Sequence, residues 1–419
     1  MELLEKLHHP EYYVKTFIKW AFLSVTVGIL GGLLGAAFHH ALHFVTHVRQ
    51  THNWLIYLLP VGGLLTIALY RVLGITKNRG TNEIIDAILE KKPVSPMVAP
   101  AVFLASGLTH LFGGSAGREG AALQIGGSVA SGIGKLFGLK DHNRTILVTC
   151  GMSAVFAGLF GTPLTAMIFC MEFVSVGTLF TPALLPCYLA AFTASRVSAA
   201  LGVHAETYIL ETAAALNAVN IGGAVLLAVL VSGLGVAMCH FFHTAEHMAA
   251  HYLPNRWVRI TVGGAMVTLL TILVGDQRFN GAGMDMAMAA LGGHADWYSF
   301  LMKMLFTALT LAAGFKGGEI VPTFCVGATF GCVAGAFLGL EPGFAAALGL
   351  IGLFCCVTNS PLAAIVLSVE MFGGANLHLF AMICVICFVL SGNSGLYSSQ
   401  IIRYEKYDRY LIKKDSNAD

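Results

Sequence analysis

The chain has 419 residues, of which 56% are hydrophobic and only 11% charged, with 48 glycines, and its mean hydropathy is +0.76. Soluble domains carry about 25% charged and about 45–50% apolar residues, so this composition excludes a soluble enzyme, a nucleic-acid binder and a disordered scaffold. A formal net charge of +2 is too small to imply a polyanionic partner.

In chain order, Met1 to Lys15 is polar, with Glu2, Glu5, Lys6 and Lys15. It lacks the basic, apolar, small-residue order of a cleaved signal, so residues 1–15 are expected to remain as a cytoplasmic segment. Apolar stretches follow at about 16–47, 54–74, 97–112, 145–172, 179–201, 208–242, 257–275, 299–315, 323–358 and 362–391. A spanning helix needs about 20 apolar residues, and several of these windows are too short or too broken by glycine to be simple spans. Arg71, Lys77, Arg79, Lys91 and Lys92 crowd the loop at 71–93, and Arg403, Lys406, Arg409, Lys413 and Lys414 crowd the end. The positive-inside rule places that loop and both termini in the cytoplasm. Ten cysteines lie mostly singly in apolar runs (Cys150, Cys170, Cys325, Cys332), with Cys355 and Cys356 adjacent; they read as small hydrophobes without a disulfide frame. Only loops separate the apolar windows, so one multi-pass membrane domain is expected over 16–405, with a short tail at 406–419.

The chain repeats itself at a period near 200. Gly35, Ala37, His40, His43 and His47 stand 200 residues before Gly235, Ala237, His240, His243 and His247. Gly126, Gly134 and Gly138 stand 201 before Gly327, Gly335 and Gly339, and Pro163-Leu164 with Glu172 matches Pro361-Leu362 with Glu370 at 198. Two halves, about 16–205 and 206–405, are therefore expected as inverted repeats around a site near the bilayer midplane, marked by corresponding glycine- or proline-interrupted segments. Those segments are Gly113-Gly-Ser-Ala-Gly-Arg-Glu-Gly120 and Gly314-Phe-Lys-Gly-Gly-Glu-Ile-Val-Pro322. Each precedes a helix-like run, and a helix N-terminus inside the membrane is an anion site, with free N–H groups and the positive end of the dipole. A carboxylate stands at each, Glu119 and Glu319. A glutamate can occupy such a site in place of the anion and leave it once protonated, so the residues alone predict an anion pathway gated by a carboxylate.

At these positions the sequence resembles the CLC family of anion channels and anion/proton antiporters. Gly117-Arg118-Glu119-Gly120 resembles the family's G-[KR]-E-G-P motif, Gly318-Glu319-Ile320-Val321-Pro322 its G-x-F-x-P, and Gly80-Thr81-Asn82 lies where G-S-G-I-P would fall. Tyr397, in Gly392-Asn-Ser-Gly-Leu-Tyr-Ser-Ser399, sits where the family's central tyrosine contacts the anion. The resemblance covers about 16–405 and implies an all-α CLC-type fold of tilted and broken helices in two inverted repeats, forming a homodimer with one pathway per subunit. Glu119 would be the gate, and the N–H groups of Gly120, Ala121, Ile320 and Val321, the hydroxyl of Tyr397 and the polar groups of Thr81 and Asn82 would solvate the anion. Glu319 would be a second proton site or an electrostatic filter; alternatively it pairs with Lys316 or Arg118 and holds the loop.

Departures from the family pattern refine this. Ala121 replaces the motif proline, Ile320 the usual phenylalanine, and Phe173 follows Glu172 where chloride/proton antiporters place an internal proton-transfer glutamate. The two glycine-rich segments together are similar to the fluoride/proton antiporter branch, although that branch's typical threonine is Val321 here and its pore methionine is Thr81. Glu172 and Glu370 read as structural groups near helix ends. The function expected is exchange of a halide, fluoride favoured, for protons across the bacterial plasma (inner) membrane, with no cofactor, metal or nucleic acid and with lipid as the surrounding partner. Chloride/proton exchange and a passive voltage-gated-type chloride channel are the alternatives within the class. A remote alternative comes from His243-Thr-Ala-Glu246-His247, which spells the H-x-x-E-H of an intramembrane zinc hydrolase. Its first-half counterpart His43-Phe-Val-Thr-His47 lacks the glutamate, so the histidines follow the duplication, and a pH-sensing or surface-facing stripe is the plainer reading.

Overall fold

The computed structural model describes residues 10–75, 79–208, 210, 215–403 and 406. Lys77, Arg409, Lys413 and Lys414, counted above for orientation, lie outside the described residues, as do positions 1–9 and 407–419. Sixteen α-helices are described: α1 Pro10–Thr51, α2 Leu59–Val72, α3 Thr81–Leu89, α4 Val98–Leu111, α5 Glu119–Leu136, α6 Asp141–Phe160, α7 Pro163–Glu172 and α8 Leu184–Ala200 in the first half. The second half supplies α9 Ala218–Tyr252, α10 Arg256–Val274, α11 Met284–Leu291, α12 Ser299–Ala313, α13 Ile320–Phe337, α14 Pro342–Thr358, α15 Pro361–Phe372 and α16 Leu377–Leu390. A two-residue parallel pairing of Ser175–Val176 with Ile401–Ile402 brings the end of the chain back onto the first half.

Among the described residues, seven helical stretches are long and apolar enough to cross a membrane. The 42-residue α1 and 35-residue α9 would span about 63 Å and about 52 Å at 1.5 Å per residue, longer than a hydrocarbon core of about 30 Å, so they must tilt. The polar positions 10–15 are the first turns of α1 rather than a separate segment. The apolar window at 145–172 is two helices. Gly161 takes the left-handed conformation at the end of α6, and Pro163 opens α7, the arrangement that glycine after a helix and proline at its first position favour. The window at 323–358 divides in the same way at Gly339 and Pro342, and that at 362–391 at Gly373. Three helices, α3, α5 and α11, had no apolar window of their own.

The repeat is visible in the packing. In each half the glycine-broken helix pairs tightly with the next, α5 with α6 and α13 with α14, and the long first helix packs on the last, α1 on α8 and α9 on α16. Helix α7 meets α15 across the pseudo-twofold, and each caps the other. Glu370 accepts from the N–H groups of Leu164 (3.0 Å) and Thr165 (2.8 Å), and Glu172 from those of Leu362 (3.1 Å) and Ala363 (2.9 Å). The structural role read for these two glutamates is thus a reciprocal exchange of N-terminal caps. All ten cysteines are buried and free.

Candidate functional site

The two glycine-rich segments cross inside the fold. Gly117 donates to the carbonyl of Gly318 at 2.6 Å and Gly318 donates back to Gly117 at 2.8 Å, an isolated antiparallel bridge between residues 201 apart. Side chains do not fit there. A Cβ on Gly318 would sit 2.6 Å from the Gly120 nitrogen and 2.9 Å from Glu119 Oε2, both inside van der Waals contact. The bridge holds the N-termini of α5 and α13 side by side, with Arg118 and Glu319 at the two N-cap positions and neither capping its own helix through its side chain.

Glu119, the first residue of α5, is fully buried. Its Oε2 accepts from the N–H of Arg118 (3.1 Å) and from that of Val321 in α13 (3.1 Å), while Oε1 has no hydrogen-bond partner. The carboxylate therefore lies across the N-terminus of the other half's helix, where the positive dipole end and a free amide would hold an anion. Of the backbone donors predicted from the sequence, that of Val321 is engaged. The side chains of Ala121, Ile320 and Val321 are wholly buried and apolar, so the only hydrogen-bond donors these residues can offer are their N–H groups.

Beside the crossing lies a cavity of about 810 Å³ whose wall includes Glu319, Lys316 and Gln124. Glu319 is part-exposed to it and lies within electrostatic reach of Glu119, Lys316 and Glu246; its Oε2 has no hydrogen-bond partner. Neither pairing considered for it from the sequence is made as a salt bridge. Arg118 pairs instead with Glu206, meets His39 Nδ1 at 3.4 Å and lies over the Phe160 ring, and among the described residues Glu319 has no ion pair within 4 Å. Arg71, Arg79, Arg256 and Arg259 also line the cavity, so with Lys316 it carries five cationic side chains.

Thr81 is 5% exposed and packs close enough that a Cβ on Gly120 would come within 2.8 Å of its hydroxyl, which places it at the N-terminus of α5. Asn82 lines the cavity, and its Oδ1 accepts from the Ser399 N–H at 2.9 Å, fastening the segment that carries Tyr397. Tyr397 is buried, meets the Phe173 ring edge-on at 5.6 Å between centroids, and lies within electrostatic reach of Glu119 and Glu319. Phe173 in turn stacks on Phe169 at 4.7 Å.

Sequence reasoning missed three features. Lys303 is fully buried and donates to Ser115 Oγ (2.9 Å) and to the carbonyls of Phe279 (3.2 Å) and Gly281 (2.6 Å), bracing the Gly113–Gly120 segment from behind. The Arg118–Glu206 pair joins the site to the chain between the halves. Glu246 was seen only within a metal motif, yet it lines the cavity together with His243. Among the described residues no group of three metal-ligating side chains occurs: His243 Nε2 meets the Leu396 carbonyl at 3.3 Å, and His247 stacks on His251.

Two inverted halves, with paired helix N-termini meeting over a buried carboxylate, define a polytopic membrane protein with an ion pathway at the repeat interface. The family of voltage gated chloride channels matches residues 62–391, and the chain belongs to this CLC family. A chloride/fluoride channel protein of Pseudomonas syringae is 31% identical over 99% of this chain and 94% of that protein. The H(+)/Cl(-) exchange transporter ClcA of Vibrio cholerae is 26% identical over 93% and 90%. A CLC-type fluoride/proton antiporter of known crystal structure superposes with a TM-score of 0.89 at 31% identity, covering 92% of this chain and 98% of that one. The family consists of transporters and channels, so the hydrolase alternative falls and the chain is not an enzyme.

Proposed function

We propose that this protein exchanges a halide, with fluoride favoured, for protons, and that Glu119 is the gate. The observation that carries the reading is the seat of the Glu119 carboxylate on the Val321 N–H: an anion and the ionised side chain compete for one helix terminus. Protonation removes the charge that holds the side chain there, the anion passes, and the return of the side chain carries the proton the other way. Glu319, at the second N-terminus, is the neighbouring proton site on the cavity side. The N–H groups of Gly120, Ala121 and Ile320, the hydroxyls of Tyr397 and Thr81 and the Asn82 amide complete the surroundings of the anion. Fluoride is favoured because two similar proteins at 31% identity are a chloride/fluoride channel protein and a fluoride/proton antiporter. Chloride/proton exchange is the second reading, favoured by the 26% identity to the ClcA exchangers.

The mouth of the cavity faces the cytoplasm in this reading, because the arginines and lysine on its wall obey the positive-inside rule. The setting is the bacterial inner membrane, with both termini inside by the same rule, repeats divided near 205 as the internal period indicates, and a homodimer with a pathway in each subunit, as the family resemblance implies. The deciding experiment is efflux from liposomes loaded with fluoride or chloride, with external pH recorded, for the unmodified protein and for Glu119→Gln. Fluoride flux well above chloride, with proton uptake abolished by the substitution, is the expected result. Flux without proton movement would make the protein a channel, and no flux of either anion would overturn the assignment.

A further inference from the structure

The cavity wall poses a problem that the gate alone does not solve. Arg71, Arg79, Arg256, Arg259 and Lys316 face it from α2, from the loop before α3, from α10 and from the loop before α13. Such a wall gathers anions and repels hydronium by the same field. Yet Glu319, part-exposed on that wall, is the member of the proposed proton route that is open to this water. At about pH 8 the proton concentration is about 10⁻⁸ M, and a diffusional ceiling of about 10⁹–10¹⁰ M⁻¹s⁻¹ allows a group about 10–100 captures per second even before repulsion is counted.

One acidic side chain on the wall answers this. Glu246 is solvent-exposed on α9, lines the cavity with His243 one turn away on the same face, and lies within electrostatic reach of Glu319. Among the described residues it has no ion pair within 4 Å, despite the arginines around it. A carboxylate on an anion route raises the barrier to the anion and needs a reason to be there. It is also where the repeat breaks: the histidines flanking it recur in the first half as His43 and His47, but the residue matching Glu246 is Thr46. The remaining ionisable groups nearby are Tyr70, buried under the Lys316 ammonium, and Glu83, which acts on both.

Resting on the antiport reading above, we propose that Glu246, with His243 beside it, is the proton-collecting station of the cavity and passes protons through cavity water to Glu319. The Glu246 carboxylate takes a proton from hydronium in the cavity. That proton then moves along water to the Glu319 carboxylate, leaving Glu246 ionised and Glu319 neutral. The same steps reversed discharge a proton outward. No bond other than O–H forms or breaks.

The test uses the full-length protein in phosphatidylethanolamine–phosphatidylglycerol liposomes, with proton uptake driven by an imposed fluoride gradient. Glu246→Gln should slow proton uptake about tenfold near pH 8 and approach the unmodified rate near pH 5.5, because steering of a charged ligand is worth about 10–10³ in capture rate. Glu246→Asp, which keeps the charge, should retain the unmodified pH profile. Near-normal exchange at the acidic end also shows that the glutamine variant is folded. A glutamine variant with unchanged rates at every pH overturns the proposal. So does equal slowing across the whole range shared by the aspartate variant, since that marks a packing role. If the unmodified protein moves fluoride without protons, the antiport reading fails first and takes this station with it, a result distinguishable because no substitution is involved.

Discussion

The reciprocal caps between α7 and α15 give a prediction that separates holding the fold together from moving protons. Both helices begin with proline, Pro163 and Pro361, which has no N–H to offer, so the first donors are those of the next two residues. Each pair is met by one glutamate of the other helix at 2.8–3.1 Å. A hydrogen bond to a charged group contributes about 1.5–3 kcal/mol, so each cap is worth about 3–6 kcal/mol when water is kept out. Glutamine keeps one acceptor oxygen, worth about 1 kcal/mol, and turns an amide N–H₂ on the second donor. Glu172 is 7% exposed, and Glu172→Gln should cost about 2–4 kcal/mol. Glu370 is part-exposed, so its cap is less completely shielded and Glu370→Gln should cost about 1–2 kcal/mol. Thermal unfolding in detergent, followed by tryptophan fluorescence, should therefore rank the unmodified protein above Glu370→Gln and that above Glu172→Gln. In liposomes both variants should carry the unmodified number of protons per anion. A Glu172→Gln protein that melts with the unmodified one refutes the capping argument, and one that loses proton coupling makes Glu172 a transport residue.

Two further outcomes follow from the crossing. Gly318→Ala inserts a Cβ 2.9 Å from Glu119 Oε2 and 2.6 Å from the Gly120 nitrogen, so it should force the helix termini apart and reduce anion flux at least tenfold while the protein still elutes as one species; normal flux would show that the bridge does not set the pathway. Glu319→Gln removes a negative charge from beside Glu119 and should tighten equilibrium anion binding, measured by calorimetry, by about 1–2 kcal/mol at an effective dielectric of about 20. Unchanged binding together with unchanged proton coupling would remove Glu319 from the site.

Much of this was legible in the sequence, for a physical reason. Duplication writes each structural device twice, so the Pro-Leu…Glu pairs at 163–172 and 361–370 marked themselves as parts of the fold, and each proved to cap the other. The glycine segments were equally readable, since glycine followed by a helix-like run at membrane depth has few uses besides a helix terminus. What could not be read is which terminus a side chain visits. Glu119 belongs to α5 and is held in part by α13, a contact across 202 residues with no local signature. Arg118 finds Glu206 and Lys303 finds Ser115 in the same long-range manner. The hold of the Asn82 oxygen on the Ser399 N–H, 317 residues away, had no local signature either. Glu246 was obscured by the histidines around it, because the motif was read as one unit.

The repeat also explains how a symmetric scaffold comes to present two unlike sides. The bridge pairs Gly117 with Gly318, which makes the next residues, Arg118 and Glu319, equivalent N-caps, and makes Glu119 equivalent to Ile320. Inversion of the halves sends equivalent side chains opposite ways. Arg118 runs to Glu206 and His39, while Glu319 runs to the cavity with Lys316 and Glu246. Arg118 thus stands on one side of the crossing in an ion pair and Glu319 on the other among the cations of the cavity wall, and Glu119 sits between them with Ile320 as its counterpart in the second half. Had both halves kept the same residues, an anion and a proton would meet identical surroundings from either side and nothing in the site would distinguish loading from release. In the proposed reading, the backbone symmetry supplies two helix N-termini able to hold one anion, and the three broken equivalences, at Arg118 and Glu319, at Glu119 and Ile320, and at Thr46 and Glu246, supply the means to trade it for protons.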